Sequence, residues 1–523
     1  MLCLKHLEFK KFWFDNKQKW FVTDSIFDKY LTENFIELLN IDKLNKIIKI
    51  LLIENLIQEK YLEEYLAIIL ICDQLSRNCF RENKDNILNF DKISLKLSKL
   101  IINHNIFGNY NPEEKCFIML PFRHSNDIVN NEIILRIVSN LRLSNDVSIY
   151  KRFYRATLLR LSKLKSIQFM KNIAVSNIEH ISMNDIVNIL DEKSVNSLQL
   201  VDINQDNKLV KIVVNYIKKY QITNITISLS GGVDSMVLAT ILSSLKNKYK
   251  LNIKGFNINY GNRELSSLET ELCIRWCNML KIPIYVRNIN EIKRSRDKDR
   301  DIYEEITKII RFHCYELLGN TVFLGHNKDD KMENILANII KQQNFDNLYG
   351  MVEHYQDIVP IGRPLLDISK NEIYEFAKEF SIPYVYDSTP KWCERGKKRD
   401  ILIPFLNEFD PRLLIGLDKL SQYVGDLTKI SNDFINSCIT YNVDNLNKLN
   451  INIKIATINF KIFNYDKQFW NLCLIEICKM YKLPYITKKS CNNSYQLIKL
   501  RACCKIILSK ILYINDKFEV FYN

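Results

Sequence analysis

The stretch ITISLSGGVDSMVL (225–238) places the strongest constraint on the fold of this chain. A hydrophobic, strand-like segment ends at Ser230, two adjacent glycines follow, and an apolar-periodic segment begins near Asp234. Adjacent glycines allow positive φ and the close approach of another group, and a helix that begins there offers unpaired backbone N–H groups and the positive end of its dipole. We therefore predict a site for an anion, most often phosphate, at this turn. The alternative is an ordinary strand-to-helix turn with a serine or aspartate cap.

Strand and helix patterns alternate over residues 208–415. This alternation predicts an α/β domain with a doubly wound parallel sheet. Ligands of such sheets bind beyond the carboxyl ends of the strands. The glycine turn, NYGNR (259–263) and GHNKDD (325–330) each follow a predicted strand, so we expect them to contribute to one crevice.

Other segments differ from this central domain, and 523 residues are too many for one core. Residues 1–170 show helical periodicity and predict an all-α domain. Residues 171–207 are more polar and predict a linker with a short helix. Residues 416–523 mix β-like and helical runs and predict a small α+β appendage, so the fold class is multidomain.

The net charge of +14 is compatible with a nucleic-acid partner, although a lysine surplus from AT-rich coding is an equally good explanation. The 14 cysteines include no C-x-x-C pair, which argues against a zinc ribbon or a cysteine-ligated iron–sulfur cluster. Free thiols in a reducing cytoplasm are the simplest account. No apolar run is long enough for a bilayer. We expect a cytoplasmic protein without membrane contact, and the oligomeric state stays open.

Ordered motifs carry a resemblance to a known family. SGGVDS (230–235) resembles the signature of the PP-loop ATP pyrophosphatases, and the G-x-x-x-x-G-K-[ST] pattern of a Walker A loop is missing. Further motifs resemble, in the same order, those of the tRNA(Ile)-lysidine synthetase family: INYGNR (258–263), GHNKDDKMEN (325–334), RPLL (363–366) and YDSTPKWCERGKKRDILIP (386–404). The resemblance covers about 205–415 and implies the PP-loop, adenine nucleotide α-hydrolase-like fold.

The resemblance also implies a tRNA-modifying ligase. Such an enzyme uses ATP to adenylate O2 of the wobble cytidine in tRNA(Ile) with a CAU anticodon, and the ε-amine of free L-lysine then displaces AMP to give lysidine. The implied partners are therefore this tRNA and L-lysine, the implied cofactors are ATP and Mg²⁺, and the 416–523 domain is a candidate for tRNA binding. Pyrophosphate leaves with high negative charge, which independently favours Mg²⁺.

Residue chemistry and motif position together give a set of site candidates. The expected ATP contacts are Ser230, Gly231, Gly232, Val233, Asp234, Ser235, Asn259, Arg263, His326 and Arg363. The expected Mg²⁺ ligands are Asp234 and Asp329. The candidate catalytic residues are Asp234, Asp330, Glu333 and Arg311, which suit proton transfer from an ammonium group or bidentate binding of phosphate or carboxylate.

Two of these assignments also have a purely structural explanation. Asp329 and Asp330 also suit a helix N-terminus without any further role, and a solitary histidine such as His326 is more often a structural hydrogen-bonding group.

A basic cluster with an aromatic residue follows in the sequence: Trp392, Arg395, Lys397, Lys398 and Arg399. Basic side chains beside an aromatic ring suit RNA backbone contacts and base stacking, and a solvated charged loop is the alternative. Residues 287–301 carry charges of both signs, and we expect a flexible surface loop there.

Some positions depart from the family pattern. Tyr260 stands where the family has a histidine, and Cys314 stands at the second arginine of its A-R-x-x-R-Y motif. Two alternatives therefore stay open. One is another PP-loop tRNA enzyme, such as a cytidine thiolase, against which the lack of paired cysteine motifs counts. The other is an RNA-binding protein without turnover, against which SGGVDS together with Asp330 and Glu333 counts.

The amino-terminal part resembles an uncharacterised all-helical family through segments such as DQLSRN (73–78) and LPFRHSND (120–127). The first segment contains Asp73 and Arg77, and Arg81 follows it closely; the second contains Arg123 and His124. These side chains form either a polar pocket between helices or an internal ion-pair network. The sequence assigns no activity to this part of the chain.

Overall fold

The computed structural model describes the residues in the following ranges: 4–20, 24–52, 57–81, 84–144, 148–174, 183–191, 201–263, 265–294, 299–343, 345–356, 359–386, 394–446, 451–458, 467–480, 492, 495–496, 511–515 and 518–521. The chain divides into two units. The first unit comprises residues 1–326 and 353–387, and the second comprises residues 327–352 and 388–523.

The helices, in chain order, are Leu4–Asp15 (α1), Ser25–Phe35 (α2), Ile41–Leu51 (α3), Leu62–Leu70 (α4), Ser76–Cys79 (α5), Leu88–Asn103 (α6), Pro112–His124 (α7), Ile128–Ser144 (α8), Ser148–Phe169 (α9), Met183–Val187 (α10), Lys208–Tyr220 (α11), Val233–Leu245 (α12), Ser266–Met279 (α13), Arg300–Leu318 (α14), Lys328–Ile340 (α15), Phe345–Leu348 (α16), Lys370–Glu379 (α17), Glu394–Lys397 (α18), Ile403–Phe409 (α19), Pro411–Cys438 (α20) and Lys467–Met480 (α21). The strands are Asn224–Leu229 (β1), Asn252–Asn259 (β2), Ile284–Asn288 (β3), Thr321–Phe323 (β4), His354–Gln356 (β5), Pro360–Gly362 (β6), Ile439–Leu446 (β7), Ile451–Ile458 (β8), Ile511–Asn515 (β9) and Phe518–Phe521 (β10).

The amino-terminal part of the first unit is all-helical, which confirms the predicted class. Cap residues mark several helix starts. Asp24 accepts hydrogen bonds of 3.0 Å from the N–H groups of Ile26 and Phe27 at the start of α2, and Asn111 and Glu114 form a capping box at the start of α7. A π-helical turn, Ile71–Leu75, connects α4 to α5.

The first unit also holds a six-stranded sheet with the order β3-β2-β1-β4-β6-β5. Neighbouring strands are parallel except for β5, which runs antiparallel to β6. The predicted doubly wound α/β class is therefore confirmed. The direction of winding reverses between β1 and β4, which is the topological switch point where ligands bind in such sheets.

The helical part and the sheet share an apolar core. One face of the sheet packs against α11, α12, α13 and α17. The other face packs against α14, and the buried side chains of β2, α14 and α9 belong to the same core as those of the amino-terminal helices. The rings of Phe169 and Phe256 illustrate this contact, because their centroids are 5.8 Å apart.

Ion pairs fix the region between β3 and α14, and one of them joins it to the helical part. Arg142 of α8 forms a bidentate pair with Asp299 before α14, with N–O distances of 2.5 and 2.7 Å. Arg287 of β3 is 2% exposed and forms an ion pair with Glu291. The expectation of a flexible surface loop over 287–301 is therefore wrong at Arg287, Glu291 and Asp299, because burial and ion pairing hold these side chains in place. Residues 295–298 lie outside the described residues.

The second unit is mixed α and β. Asp410 caps its longest helix, α20, by accepting a hydrogen bond of 2.9 Å from the N–H of Arg412. α15 and the segment after it pack on this helix, since Lys331 pairs with Asp418 at 2.9 Å and the hydroxyl of Ser421 donates to the carbonyl of Tyr349 at 2.8 Å. Two antiparallel hairpins, β7–β8 and β9–β10, complete the described elements. The domain boundary predicted at 415/416 falls inside α20.

Among the described helices of both units, none combines the length and the apolar character that crossing a membrane requires.

Candidate active site

The glycine turn, Ser230–Ser235, connects β1 to α12 at the carboxyl edge of the sheet. Gly231 has a φ of +82°, a conformation that strains residues with a side chain. Its carbonyl accepts a hydrogen bond of 3.0 Å from the N–H of Val385. Gly232 precedes the first residue of α12, and no side chain caps this helix. A helix start without a side-chain cap is a place where an anion can bind to the backbone N–H groups.

Two serine hydroxyls close the turn. The Oγ of Ser235 donates to the carbonyl of Gly232 at 3.0 Å and accepts from the N–H of Ser230 at 3.2 Å. The two hydroxyl oxygens are 3.3 Å apart. Ser235 is buried and Ser230 is exposed. Ser235 thus holds the backbone of the turn, while the hydroxyl of Ser230 is accessible to a ligand.

Gly325 lies against this turn, in the segment that follows β4. A Cβ atom on Gly325 would lie 2.9 Å from the carbonyl carbon of Asp234 and from the nitrogen of Ser235, closer than packed atoms approach. Glycine is therefore needed for the backbone after β4 to pass the first turn of α12. The structure thus brings the SGGVDS and Gly-His motifs together at the switch point.

A lysine that the sequence reasoning missed lies beside Asp234. The Nζ of Lys370 is 2.5 Å from Oδ2 of Asp234, and the two side chains are partly exposed. Lys370 is the first residue of α17, which begins with a capping box formed by Ser369 and Glu372. The sequence offered one signal for this lysine: a basic residue follows a potential capping serine, four residues beyond RPLL.

A hydrogen bond joins His326 and Arg363, both of which are predicted ATP contacts. The Nε–H of Arg363 donates to Nδ1 of His326 at 3.1 Å. A guanidinium group has no acceptor, so Nδ1 must be the unprotonated ring nitrogen. The imidazole is therefore neutral with its proton on Nε2. Burial lowers the pKa of Arg363.

Two predicted ATP contacts, Asn259 at the end of β2 and Arg263 beyond it, each contact a residue of α13. The side chain of Asn259 donates to the hydroxyl of Ser267 at 3.4 Å and accepts from the N–H of Gly261 at 3.0 Å. Arg263 pairs with Glu269 at 3.0 Å. Burial raises the pKa of Glu269, and Arg263 offsets part of that shift.

Asn259 also lines a cavity of about 650 Å³ between the helical part and the β2–β3 edge of the sheet. Lys165, Thr270 and Arg287 lie among the other lining residues. The lining of the cavity is mainly polar, and both the helical part and the sheet contribute residues to it.

Arg311, a candidate catalytic residue, lies on α14, and its positive charge acts on the hydroxyl of Tyr260. Burial raises the pKa of Tyr260, and Arg311 offsets part of the shift. Tyr260 is the residue that replaces the family histidine, so the structure links this departure to a predicted site residue.

The acidic candidates of α15 belong to the second unit, where arginines neutralise two of them. Asn327 and Asp330 form a capping box at the start of α15. Arg395 also binds Asp330 and donates to Oε2 of Glu333 at 2.9 Å, while Arg399 donates to Oε1 of Glu333 at 2.7 Å. Burial lowers the pKa of Arg395, but Asp330 and Glu333 raise it overall.

This arrangement differs from the basic cluster that the sequence suggested, because two of its arginines are paired with buried carboxylates. Lys397 and Lys398 form no ion pair with any residue that the structure describes, and Trp392 lies outside the described residues. Asp329 is exposed in the first turn of α15. In the described ranges no group of three or more histidine, cysteine, aspartate or glutamate side chains is arranged to hold a metal ion.

Comparison with known families agrees with this geometry. Residues 203–402 match the family model of the PP-loop domain, and residues 9–171 match that of a family described as bacterial proteins of unknown function, DUF924. The glycine turn thus lies in the segment that matches the PP-loop domain, and a segment that matches DUF924 precedes it in the same chain.

Among named proteins, this chain is similar to tRNA(Ile)-lysidine synthases. It is 29% identical over 197 residues to that of Enterococcus faecalis, covering 36% of this chain and 42% of the relative. It is 32% identical over 194 residues to that of Chlamydia muridarum, covering 35% and 57%. It is 23% identical over 325 residues to that of Clostridioides difficile, covering 57% and 69%. The match therefore spans roughly half the length of these relatives.

Two solved structures are similar to this chain at a low level. The U34-tRNA thiolase NcsA from Methanococcus maripaludis is 16% identical with a TM-score of 0.35, covering 42% of this chain and 79% of that one. The NMN synthetase from Francisella tularensis is 14% identical with a TM-score of 0.29, covering 47% and 96%.

Proposed function

We propose that this chain is an ATP-dependent tRNA-modifying ligase. It binds ATP at the PP-loop, transfers AMP to O2 of the wobble cytidine of tRNA(Ile) with a CAU anticodon, and releases pyrophosphate. The ε-amine of free L-lysine then attacks C2 of the activated cytidine, AMP leaves, and lysidine results. The named relatives support the tRNA and the lysine, and the PP-loop supports the use of ATP.

The observation that carries the proposal is the uncapped start of α12 after Gly231. The N–H groups there and the hydroxyl of Ser230 can donate to the oxygens of the β- and γ-phosphates. Negative charge grows on this pyrophosphate as the bond to the α-phosphorus breaks. Fixed donors that bind the charge more tightly as it grows lower the barrier to that step.

Asp234 fits a role in holding Mg²⁺. A cation already lies beside it, the ammonium group of Lys370, and one carboxylate together with phosphate oxygens is a usual ligand set for Mg²⁺. When bound, Mg²⁺ would neutralise charge on the departing pyrophosphate. Lys370, released from Asp234, would donate to the same phosphates.

The remaining candidates have assigned roles within this proposal. His326 donates from Nε2 to ATP or to the adenylate, with Arg363 fixing its tautomer. Asp330 and Glu333 stay candidates for accepting the proton of the lysine ammonium, and Asp329 stays a candidate metal ligand. Arg395, Lys397, Lys398 and Arg399 stay candidates for RNA, with Arg395 and Arg399 exchanging a carboxylate partner for phosphate.

The test is incubation of the purified chain with ATP, Mg²⁺, radiolabelled L-lysine and a CAU-anticodon tRNA transcript. We expect label in the tRNA with release of AMP and pyrophosphate. Asp234→Ala should lower the rate by about a hundredfold or more. Asp301→Ala, which removes an exposed carboxylate on α14, is the matched control and should retain the rate.

Two other outcomes are informative. Pyrophosphate release that depends on tRNA, without incorporation of lysine, would retain the adenylation step and exclude lysine as the second substrate. No cleavage of ATP with any of these components would overturn the ligase proposal and favour an RNA-binding protein.

A further inference from the structure

The helix α20 of the second unit carries an exposed apolar stripe. The residues of this stripe follow one another at alternating steps of three and four, and each of them is exposed: Leu413, Gly416, Leu420, Tyr423, Leu427 and Ile430. Such steps place side chains on one face of a helix. They are also the pattern of a two-stranded coiled coil, in which the apolar positions face a partner helix.

The described contacts of α20 within its own unit use another face. Ser421 and Thr428 are buried, and Asp418 pairs with a lysine of α15. Each of these positions follows a stripe residue by one or two, which turns it by about 100–200° around the helix axis. At the next position after the stripe, the ring of Phe434 packs on Phe469 of α21, with centroids 6.3 Å apart. The packing of the described residues therefore does not use the stripe.

The stripe is large enough for a stable contact with a partner. The exposed fraction of its apolar residues runs from 37% at Leu413 to 66% at Tyr423. Together they leave about 600 Å² of apolar surface in water, and the charged side chains beside them bring the surface to the roughly 800 Å² that each partner contributes to an interface of standard size. A contiguous apolar patch of this extent marks an interaction site.

The charges beside the stripe change sign along the helix. Immediately before the positions 413, 420, 427 and 434 stand two basic and then two acidic residues: Arg412, Lys419, Asp426 and Asp433. Each occupies the g position of the coiled-coil pattern, where charged side chains select the partner and its orientation. Two copies of α20 that run antiparallel bring their g positions together, so Lys419 faces Asp426 of the second copy and Arg412 faces Asp433 of the second copy.

The apolar residues require the same register. When Lys419 faces Asp426 of the second copy, Leu420 meets Tyr423 and Leu413 meets Ile430 across the seam. Charge and apolar contact therefore agree on one two-fold arrangement, in which the same patch serves on both copies. A parallel pair would instead bring the g positions against uncharged residues, Leu417, Val424 and Ser431.

The ion pairs that these charged residues already form are weak competitors. Arg412 pairs with Asp410 at 2.8 Å, and Asp426 pairs with Lys429 at 3.1 Å. Both pairs include strongly exposed side chains, and pairs of this kind contribute little to stability. Lys419 and Asp433 form no ion pair within the described part of the chain.

We propose that two copies of this chain associate through α20 as an antiparallel two-stranded coiled coil. The stripe supplies the apolar seam, and the sign change of the flanking charges sets the orientation. A nucleic acid fits this face less well, because Asp426 and Asp433 would repel its phosphates. The association does not depend on the ligase activity proposed above.

The test is sedimentation equilibrium of the full chain over a range of micromolar concentrations. We expect a species of twice the chain mass of 62.0 kDa. Leu420→Asp places a charge in the seam of both copies and should weaken dimerisation about a hundredfold or more. Ile415→Asp is the matched control, because Ile415 is 57% exposed and Leu420 is 55% exposed, but Ile415 lies off the stripe. It should dimerise as the unchanged chain does.

A charge exchange at exposed positions tests the orientation with little risk to folding. Lys419→Asp would face Asp426 of the second copy and should weaken dimerisation about threefold to tenfold. Adding Asp426→Lys restores opposite charges across the seam and should restore the affinity. These two positions do not meet in a parallel pair, so the restoration is specific to the antiparallel arrangement.

Several results would overturn the proposal. They are a monomer at every concentration, equal weakening by Leu420→Asp and Ile415→Asp, and a charge exchange that restores no affinity. A monomer that loses stability in urea through Leu420→Asp would show that the same chain covers the stripe. A monomer that loses affinity for tRNA through this substitution would show that the stripe binds RNA instead.

Discussion

The ammonium nitrogen of Lys370 lies 2.5 Å from the carboxylate oxygen Oδ2 of Asp234, in the first turn of α12. The pair joins the PP-loop to the first residue of α17. A carboxylate that holds an ammonium group in this place can exchange it for a metal ion when a nucleotide brings its own negative charge.

Lys370→Gln should therefore lower kcat/KM for ATP cleavage about tenfold to a hundredfold, because the departing pyrophosphate loses a cationic donor. The measurement is the rate of pyrophosphate release with tRNA present. Lys378→Gln changes an exposed lysine in the last turn of the same helix and should leave the rate as it is. Equal rates for both variants would contradict a phosphate-binding role for Lys370.

Gly325→Ala should destabilise the chain by about 1–3 kcal/mol and weaken ATP binding. Its Cβ would lie 2.9 Å from backbone atoms of Asp234 and Ser235, so the first turn of α12 would have to shift. Urea denaturation and nucleotide titration measure the two effects. Gly108→Ala is the control, because nothing lies within 4 Å of a Cβ at that position. A fully stable Gly325→Ala variant with unchanged affinity would show that the close approach is unimportant.

The tautomer of His326 is a further prediction. Its Nδ1 accepts from Arg363, so we expect the neutral form with the proton on Nε2. ¹⁵N NMR of histidine-labelled protein distinguishes the two ring nitrogens. His104 is an internal reference of opposite kind, since its Nδ1 lies 2.9 Å from the carbonyl of Leu100 and must donate. A protonated Nδ1 at His326 would rule out the hydrogen bond from Arg363.

The stability contributed by Glu372 should depend on pH. Lys208 and the capping interactions of Ser369 lower the pKa of Glu372 from its ordinary value of 4.5 to about 2. The folded chain therefore stabilises the ionised form of Glu372. Its contribution to the free energy of unfolding is present above the ordinary pKa of 4.5 and is lost as the pH falls through the lowered pKa of about 2. Glu372→Gln should thus be less stable than the unchanged chain at pH 7, with a difference that shrinks between pH 5 and pH 2.

Urea denaturation of both proteins across this pH range measures the difference. Glu375→Gln, at an exposed position on the same helix, is the matched control and should change the stability little at pH 7. A difference for Glu372→Gln that stays constant down to pH 2 would contradict the lowered pKa.

The PP-loop could be predicted from the sequence because its chemistry is local. Positive φ at Gly231, the start of α12 and the closing hydroxyl of Ser235 are all set within six consecutive residues. The order of strands and helices likewise follows from periodicity. Local patterns of this kind survive in the sequence whatever the rest of the chain does.

The contacts that the sequence did not reveal join residues far apart in the chain. Lys370 is 136 residues from Asp234, and Arg395 is 62 residues from Glu333. The run of basic residues predicted solvated or RNA-binding side chains at Arg395 and Arg399. The sequence does not show that both arginines pair with the carboxylate of Glu333, which is far away in the chain. The burial of Arg287 with Glu291 escaped prediction for the same reason, since the covering surface comes from α9.

The core shared by α9, α14 and β2 bears on how the chain can be divided. If residues 1–170 were removed, the apolar face formed by Phe256, Ile306 and Ile310 would be exposed to water. A fragment starting near residue 208 would therefore be prone to aggregation. Because the two segments that match separate families share one buried core, we expect them to unfold together.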